Sequence, residues 1–260
     1  MSSFATLVTR RELLLSLVMR DLRARYAGST AGLAWAFLNP ILNLAILTTV
    51  FSLVLRVRFG DTAAPFPVAL AWGFFPWLAL QEGIARGTTA LVDGGVLVKR
   101  LALPTEILIA QPILAAVVQE LVALGALVCA MPFLGVPLGP GLLLCAIPLS
   151  VQVALTLGIG WILGVAHVYF RDTTQVVVAA LQAWFYLTPI VYPLELAPRA
   201  LQGFLAANPL SGIVQGFRAF ALGGEVHWGT LLWSAICAGA ALAVGAAALR
   251  ESRHEVADLV

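Results

Sequence analysis

The sequence predicts an all-α integral membrane protein with six transmembrane helices, and three observations carry that reading. Hydrophobic residues make up 61% of the 260 positions and charged residues 11%, with a mean hydropathy of +0.96, more apolar surface than a soluble domain of this size can hide. The apolar residues fall in uninterrupted runs of about 20 or more, the length a helix needs to cross the hydrocarbon. The basic residues gather at alternate ends of those runs, as positive-inside topology requires. A formal net charge of +2 is too small to suggest nucleic acid as a partner.

The elements follow in chain order. Leu15, Val18, Met19, Leu22 and Tyr26 recur at helical spacing, and Thr9 and Glu12 have capping-box spacing. Residues 9–27 are therefore expected to form an interfacial helix along the inner leaflet, with Arg20, Arg23 and Arg25 beside or opposite the apolar stripe. "TRRELLL" at Thr9–Leu15 superficially matches a twin-arginine export signal. The apolar stretch after it is short, and Arg20, Asp21, Arg23 and Arg25 follow at once, so that reading is rejected. Gly28 and Gly32 allow the turn into the first span, 33–55. The second span is 63–88, with Glu82 and Arg86 at the favourable i,i+4 order for a structural ion pair.

Residues 107–166 form one apolar block whose single charge is Glu120. "PFLGVPLGPG" at Pro132–Gly141 breaks it into spans 105–132 and 141–168. Span five is 173–194, opened by Asp172 and Gln175 at cap spacing, and span six is 226–249. Between them, residues 195–225 suit a re-entrant-like hairpin of two short helices, shallow in the bilayer. Residues 250–260 form a tail, with no soluble recognition domain expected on this chain.

Six spans place both termini on one side. That side carries Arg10, Arg11, Arg20, Arg23, Arg25, Arg86, Lys99, Arg100, Arg171, Arg250 and Arg253, whereas the other carries Arg56, Arg58, Arg199 and Arg218. The excess puts the termini, and the short stretch around Lys99, in the cytoplasm, with the 195–225 hairpin on the periplasmic side.

Absent motifs exclude several chemistries. There is no G-x-x-x-x-G-K-[ST], so the chain does not cradle nucleotide phosphates by itself, and there is no H-E-x-x-H or G-x-S-x-G. His167, His227 and His254 are scattered, and the cysteines, Cys129, Cys145 and Cys237, have no metal spacing and read as small buried residues. Neither a catalytic residue nor a metal ligand is expected. An acid inside a span is a functional hypothesis by default, so Glu120 keeps a proton-driven carrier open; hydrogen bonding inside the bundle is the alternative. The clusters "WGFFPW" and "WFYLTPIVY" supply candidate channel aromatics, Trp72, Phe75, Trp184, Tyr186 and Tyr192, whose faces suit sugar C–H surfaces. Interfacial belts and helix packing explain such residues equally well.

The motifs also resemble a known family. "RDLRARYAGSTAGLAWAFLNP" (Arg20–Pro40), "VKRLALPTE" (Val98–Glu106), "YFRD" (Tyr169–Asp172), "YLTPIVYP" (Tyr186–Pro193) and "NPLSGIVQGFR" (Asn208–Arg218) are similar, in order, to the ABC-2 type permeases that export O-antigen, capsule and teichoic-acid polysaccharides. The resemblance covers nearly the whole chain and implies a single permease domain over residues 1–260. It further implies a homodimeric channel for a lipid-linked polysaccharide in the bacterial inner membrane. Two separate ATPase subunits would bind ATP and Mg, leaving this chain without a cofactor. It assigns residues 94–103 as a cytoplasmic coupling helix docking on the ATPase, with Gly94, Val98, Lys99, Arg100 and Leu101 as its contacts. Gly94-Gly95 free the backbone to leave span two, and Pro104 opens span three where a missing N–H costs little. An ABC-2 permease for a drug or small lipid is the nearest alternative.

Overall fold

The computed structural model describes residues 3–26, 32–59, 64–95 and 103–252, which form a helical bundle without strands among the described residues. The helices are α1 (Ser3–Thr9), α2 (Arg11–Tyr26), α3 (Gly32–Thr48, running on as a π-helical segment Thr49–Val54), α4 (Phe66–Asp93), α5 (Thr105–Ala130), α6 (Ala146–Tyr169), α7 (Thr173–Tyr186), α8 (Arg199–Ala207), α9 (Pro209–Leu222) and α10 (Trp228–Glu251). Among the described residues, four stretches are long and apolar enough to cross a membrane: Phe66–Asp93, Thr105–Leu134, Pro140–Tyr169 and Trp228–Glu251.

α4 is the central helix. In its most apolar window 78% is buried inside the bundle, against 28–39% for the other three long helices, which leave broad apolar faces for lipid. Small residues set the approach of α4, α5 and α6. Ile109 and Ile113 of α5 lie one turn apart and press into the gaps left by Gly83 and Gly87 of α4 and by Gly160 and Gly164 of α6. A Cβ at Gly160 would lie 2.7 Å from Ile113 Cδ1, and one at Gly164 2.8 Å from Ile109 Cδ1. In lipid, where hydrophobicity does not drive helices together, such close packing is what associates them.

The structure corrects several expectations. α2 turns Leu14, Leu17 and Val18 into the bundle, while Leu15 and Met19 of the expected stripe stay exposed at 59% and 47%. The inward stripe continues through Asp21 and Arg25, whose charges are accommodated by pairing across helices. Thr9 closes α1, so Arg10 rather than Thr9 precedes α2. α7 ends at Tyr186, well short of residue 194, and residues 187–193 run on in turns. Pro189 and Pro193 lack the N–H that would continue a helix. At about 1.5 Å per residue, the 14-residue α7 does not reach across the hydrocarbon alone. Asp172 occupies the N-cap position of α7, but its side chain makes no capping bond. Cys145 is buried, Cys237 intermediate and Cys129, near the end of α5, exposed.

The α5–α6 connection is built as its prolines and glycines suggest. A 3₁₀ turn at Met131–Leu134 stops at Gly135, which has a φ of 75°, and a second 3₁₀ turn at Pro140–Cys145 leads into α6. Two short helices, α8 and α9, occupy the segment between α7 and α10.

Candidate functional site

The polar side chains of this apolar bundle concentrate in three places. At the α2 end, Asp21 and Arg25 of α2 meet Glu82 and Arg86 of α4 and Gln119 of α5. Arg86 binds Asp21 with both terminal nitrogens, Nη2 to Oδ1 at 2.7 Å and Nη1 to Oδ2 at 2.9 Å. Arg25 donates Nε to Asp21 Oδ2 at 3.0 Å and Nη1 to Gln119 Oε1 at 2.7 Å, and also pairs with Glu82. The expected Glu82–Arg86 pair exists at 3.8 Å but is the loosest link. The amphipathic helix is thus riveted to α4 and α5 by charge-assisted bonds, which are roughly twice as strong as neutral ones.

Beside this cluster, a cavity of about 1260 Å³ opens between α2, α3, α4 and α5. Arg25, Glu82, Gln119, Asn39 and Asn43 give it polar points on otherwise apolar walls. Glu120 also borders it and is 3% exposed. Gln152 of α6 donates Nε2 to Glu120 Oε2 at 2.7 Å and to the Pro76 carbonyl at 3.1 Å. Among the described residues no cation pairs with Glu120. Its neutral partner escaped the sequence reading because a glutamine within an apolar run carries no charge signal.

At the opposite end, Asn208 and Arg218 organise the irregular segment after α7. Asn208 caps α9, accepting from the Leu210 N–H at 3.0 Å. The same side chain accepts from Trp184 Nε1 at 2.8 Å and donates to the Leu187 carbonyl at 3.0 Å and Thr188 Oγ1 at 2.9 Å. Arg218 of α9 donates Nε to the Ala69 carbonyl at 2.8 Å, Nη1 to the Pro189 carbonyl at 2.8 Å and Nη2 to the Ile190 carbonyl. A second cavity, of about 730 Å³, lies against it and is bordered by Glu195, Gln215, Glu225, His227 and Trp228.

The candidate aromatics separate into distinct environments. Trp72 is 2% exposed, stacked on Phe217 at 6.3 Å, and Phe75 is buried at the edge of the larger cavity. Trp184 meets Trp77 edge-on and is held by Asn208. Tyr186 is 59% exposed, and its carbonyl accepts from the Tyr192 hydroxyl at 2.8 Å. Arg20 and Arg23 are exposed. Gly94 caps α4, where a Cβ would lie 2.5 Å from Leu108 Cδ2. Val98, Lys99, Arg100 and Leu101, and the side chain of Tyr26, lie outside the described residues, as does His254. Asn208 and Arg218 were not singled out as sites in the sequence; the Asn-Pro pair opening α9 is the cap signal that marks the first of them.

Comparison with known proteins decides the family. Residues 12–222 match the model of the ABC-2 type transporter family. The chain belongs to the ABC-2 type transporter family. This ABC-2 permease is 30% identical over 217 residues to the "O-antigen export system permease protein RfbA" of Myxococcus xanthus, covering 80% of each chain. It is 26% identical over 221 residues to the protein of the same name from Klebsiella pneumoniae, covering 84% of this chain and 83% of that one. The "Polysialic acid transport protein KpsM" of Escherichia coli is 25% identical over 220 residues, with 84% of each chain covered. ABC-2 permeases are multi-pass transport subunits rather than enzymes, and the ATPase is a separate subunit.

Proposed function

We propose that this permease is the transmembrane subunit of an ATP-driven exporter that carries a lipid-linked polysaccharide, most closely an O-antigen, out across the bacterial inner membrane. The observation that carries the proposal is similarity along four fifths of the chain to permeases named for O-antigen and polysialic acid export. Two copies form the conduit. α3 with its π-helical extension and α7 with the turns after it complete six spans, and both termini face the cytoplasm. The turns after α7 suit this role because their carbonyls are satisfied by Asn208 and Arg218 rather than left to lipid.

Two ATPase subunits bind ATP and Mg and dock on residues 94–103, through Gly94, Val98, Lys99, Arg100 and Leu101. ATPase closure pushes that segment and the interfacial helix α2. The Asp21–Arg25–Glu82–Arg86 cluster passes the push into α4 and α5, since α2 cannot shift without breaking or carrying those pairs. The larger cavity, apolar-walled with the paired Arg25 and Glu82 at its polar end, suits the lipid anchor of such a substrate at the inner leaflet. The α8–α9 hairpin stands at the outer mouth.

Deleting the gene and measuring surface polysaccharide tests the function. Loss of surface polymer with accumulation inside the cell, restored by the gene in that strain but not in one that also lacks the ATPase gene, supports it. Unchanged surface polysaccharide rejects it in favour of a drug or small-lipid permease. Reversing charge at Lys99 and Arg100 tests the docking: the ATPase should no longer co-purify although the permease inserts normally.

A further inference from the structure

We infer that Arg218 is a positioning residue for transport: it clamps the α8–α9 hairpin, the start of α4 and the unwound end of α7 into one unit that moves together. The inference rests on the exporter reading above, because it assigns Arg218 a part in the export cycle. The guanidinium fork reaches three carbonyls from two separate segments, Ala69 in the first turn of α4 and Pro189 with Ile190 in the turns after α7. A third segment closes over it: the Phe59 ring lies 4.1 Å from Cζ and stacks on Phe66 at 5.0 Å.

Among the described residues no carboxylate pairs with this cation. Arg218 is part-buried at the edge of the second cavity, and a methionine would fill similar space without having to desolvate a charge. What a methionine lacks is the fork. Pro189 and Pro193 end the helix, and the Pro189 and Ile190 carbonyls are left without helical donors; Arg218 supplies them. Room for the fork is reserved on α4, since a Cβ at Gly73 would lie 2.7 Å from Arg218 Nη2. The hairpin therefore cannot slide over α4 or peel from the end of α7 without breaking charge-assisted bonds. Opening at this mouth carries all three segments as a rigid body.

The test uses the assembled exporter, permease with its ATPase, in nanodiscs. Amide exchange is followed at residues 66–70 and 187–191, together with ATP hydrolysis and polymer export. Arg218→Met should raise exchange in those two segments about tenfold, as losing one bond to a charged group implies, while α5 and α6 stay protected. ATP hydrolysis should persist while export falls by about tenfold or more, and Arg218→Lys, with one donor head, should recover export only partly. Wild-type export in Arg218→Met, or exchange rising throughout the bundle with hydrolysis and export lost together, overturns the proposal. If Arg218→Met does not assemble, Gly73→Ala decides, because it keeps the cation while its Cβ would meet Arg218 Nη2 at 2.7 Å and Val214 Cγ1 at 2.9 Å, and Val214→Ala alone, which opens space without touching the fork, is its control. Faster exchange at 187–191 supports the clamp, and unchanged exchange overturns it. Exchange needs no substrate, so a wild-type complex that moves no polysaccharide refutes the exporter reading and leaves the clamp measurement standing.

Discussion

Arg86 holds Asp21 by both carboxylate oxygens, at 2.7 and 2.9 Å, although the two residues are 65 positions apart in the chain. This fork-to-fork bond fixes which face of α2 meets the bundle. Asp21→Asn keeps the shape and removes the charge, and should loosen α2 by about 1–3 kcal/mol. Faster amide exchange confined to residues 11–26 is the measurement. Combining Asp21→Asn with Arg86→Gln should cost less than the sum of the two single changes, and that double-mutant cycle reads the coupling directly.

Glu120→Gln should leave export close to normal. Its partners are the Gln152 amide and, through it, the Pro76 carbonyl; a glutamine at 120 offers the same acceptor to that amide. Export measured with and without a collapsed proton gradient checks this. Abolition of transport by the substitution would restore the proton-driven reading.

Asn208→Ala removes one side chain that makes four hydrogen bonds. The cap alone is worth about 1 kcal/mol, and the Leu187 carbonyl and the Trp184 indole lose their partner with it. Limited proteolysis should then cut within residues 187–198, where the wild-type protein resists. Asn208→Asp keeps the cap acceptor and should fall between the two.

Gly158→Leu should lower the thermal midpoint of the detergent-solubilised protein. A Cβ there meets the backbone of Ala241 and Leu242 on α10, which cannot turn aside as a side chain can, and Gly245 faces the Gly158 carbonyl across the same contact. Overpacking of this kind costs about 1–3 kcal/mol. Gly239→Ala, with nothing within 4 Å of the added carbon, is the matched control and should melt at the wild-type temperature or slightly above it.

Much of the helix layout was legible because lipid imposes length and apolarity on any spanning segment. α4, α5, α6 and α10 follow directly from runs of the right length, and the proline-rich break after α5 is visible in composition alone. The misreadings have local causes. Two adjacent stripes of α2 share helical spacing, and the apolar one is the more visible because the other includes the charges Asp21 and Arg25. Only the distant Glu82 and Arg86 show that those charges face the bundle. Span five was carried to residue 194 on hydropathy, although Pro189 and Pro193 already argued for an earlier stop. The Glu82–Arg86 pair was visible at i,i+4, whereas the stronger Asp21–Arg86 bond joins segments that only the folded bundle brings together. Arg218 was read as one of four topology-marking cations; its role as a donor to stranded carbonyls depends on where α7 unwinds. The residues assigned to ATPase docking from Val98 to Leu101 lie outside the described residues and rest on the resemblance.

The cluster at the α2 end contains two guanidinium and two carboxylate groups, so it carries no net charge when ionised. Displacing one elementary charge across a membrane potential involves about 2.3 kcal/mol per 100 mV. A block of four ions that travels as a unit with zero sum does no such electrical work. Within the α2–α4 contact itself, the four ions therefore add no voltage-dependent term to the joint, whichever way the pairs are displaced together.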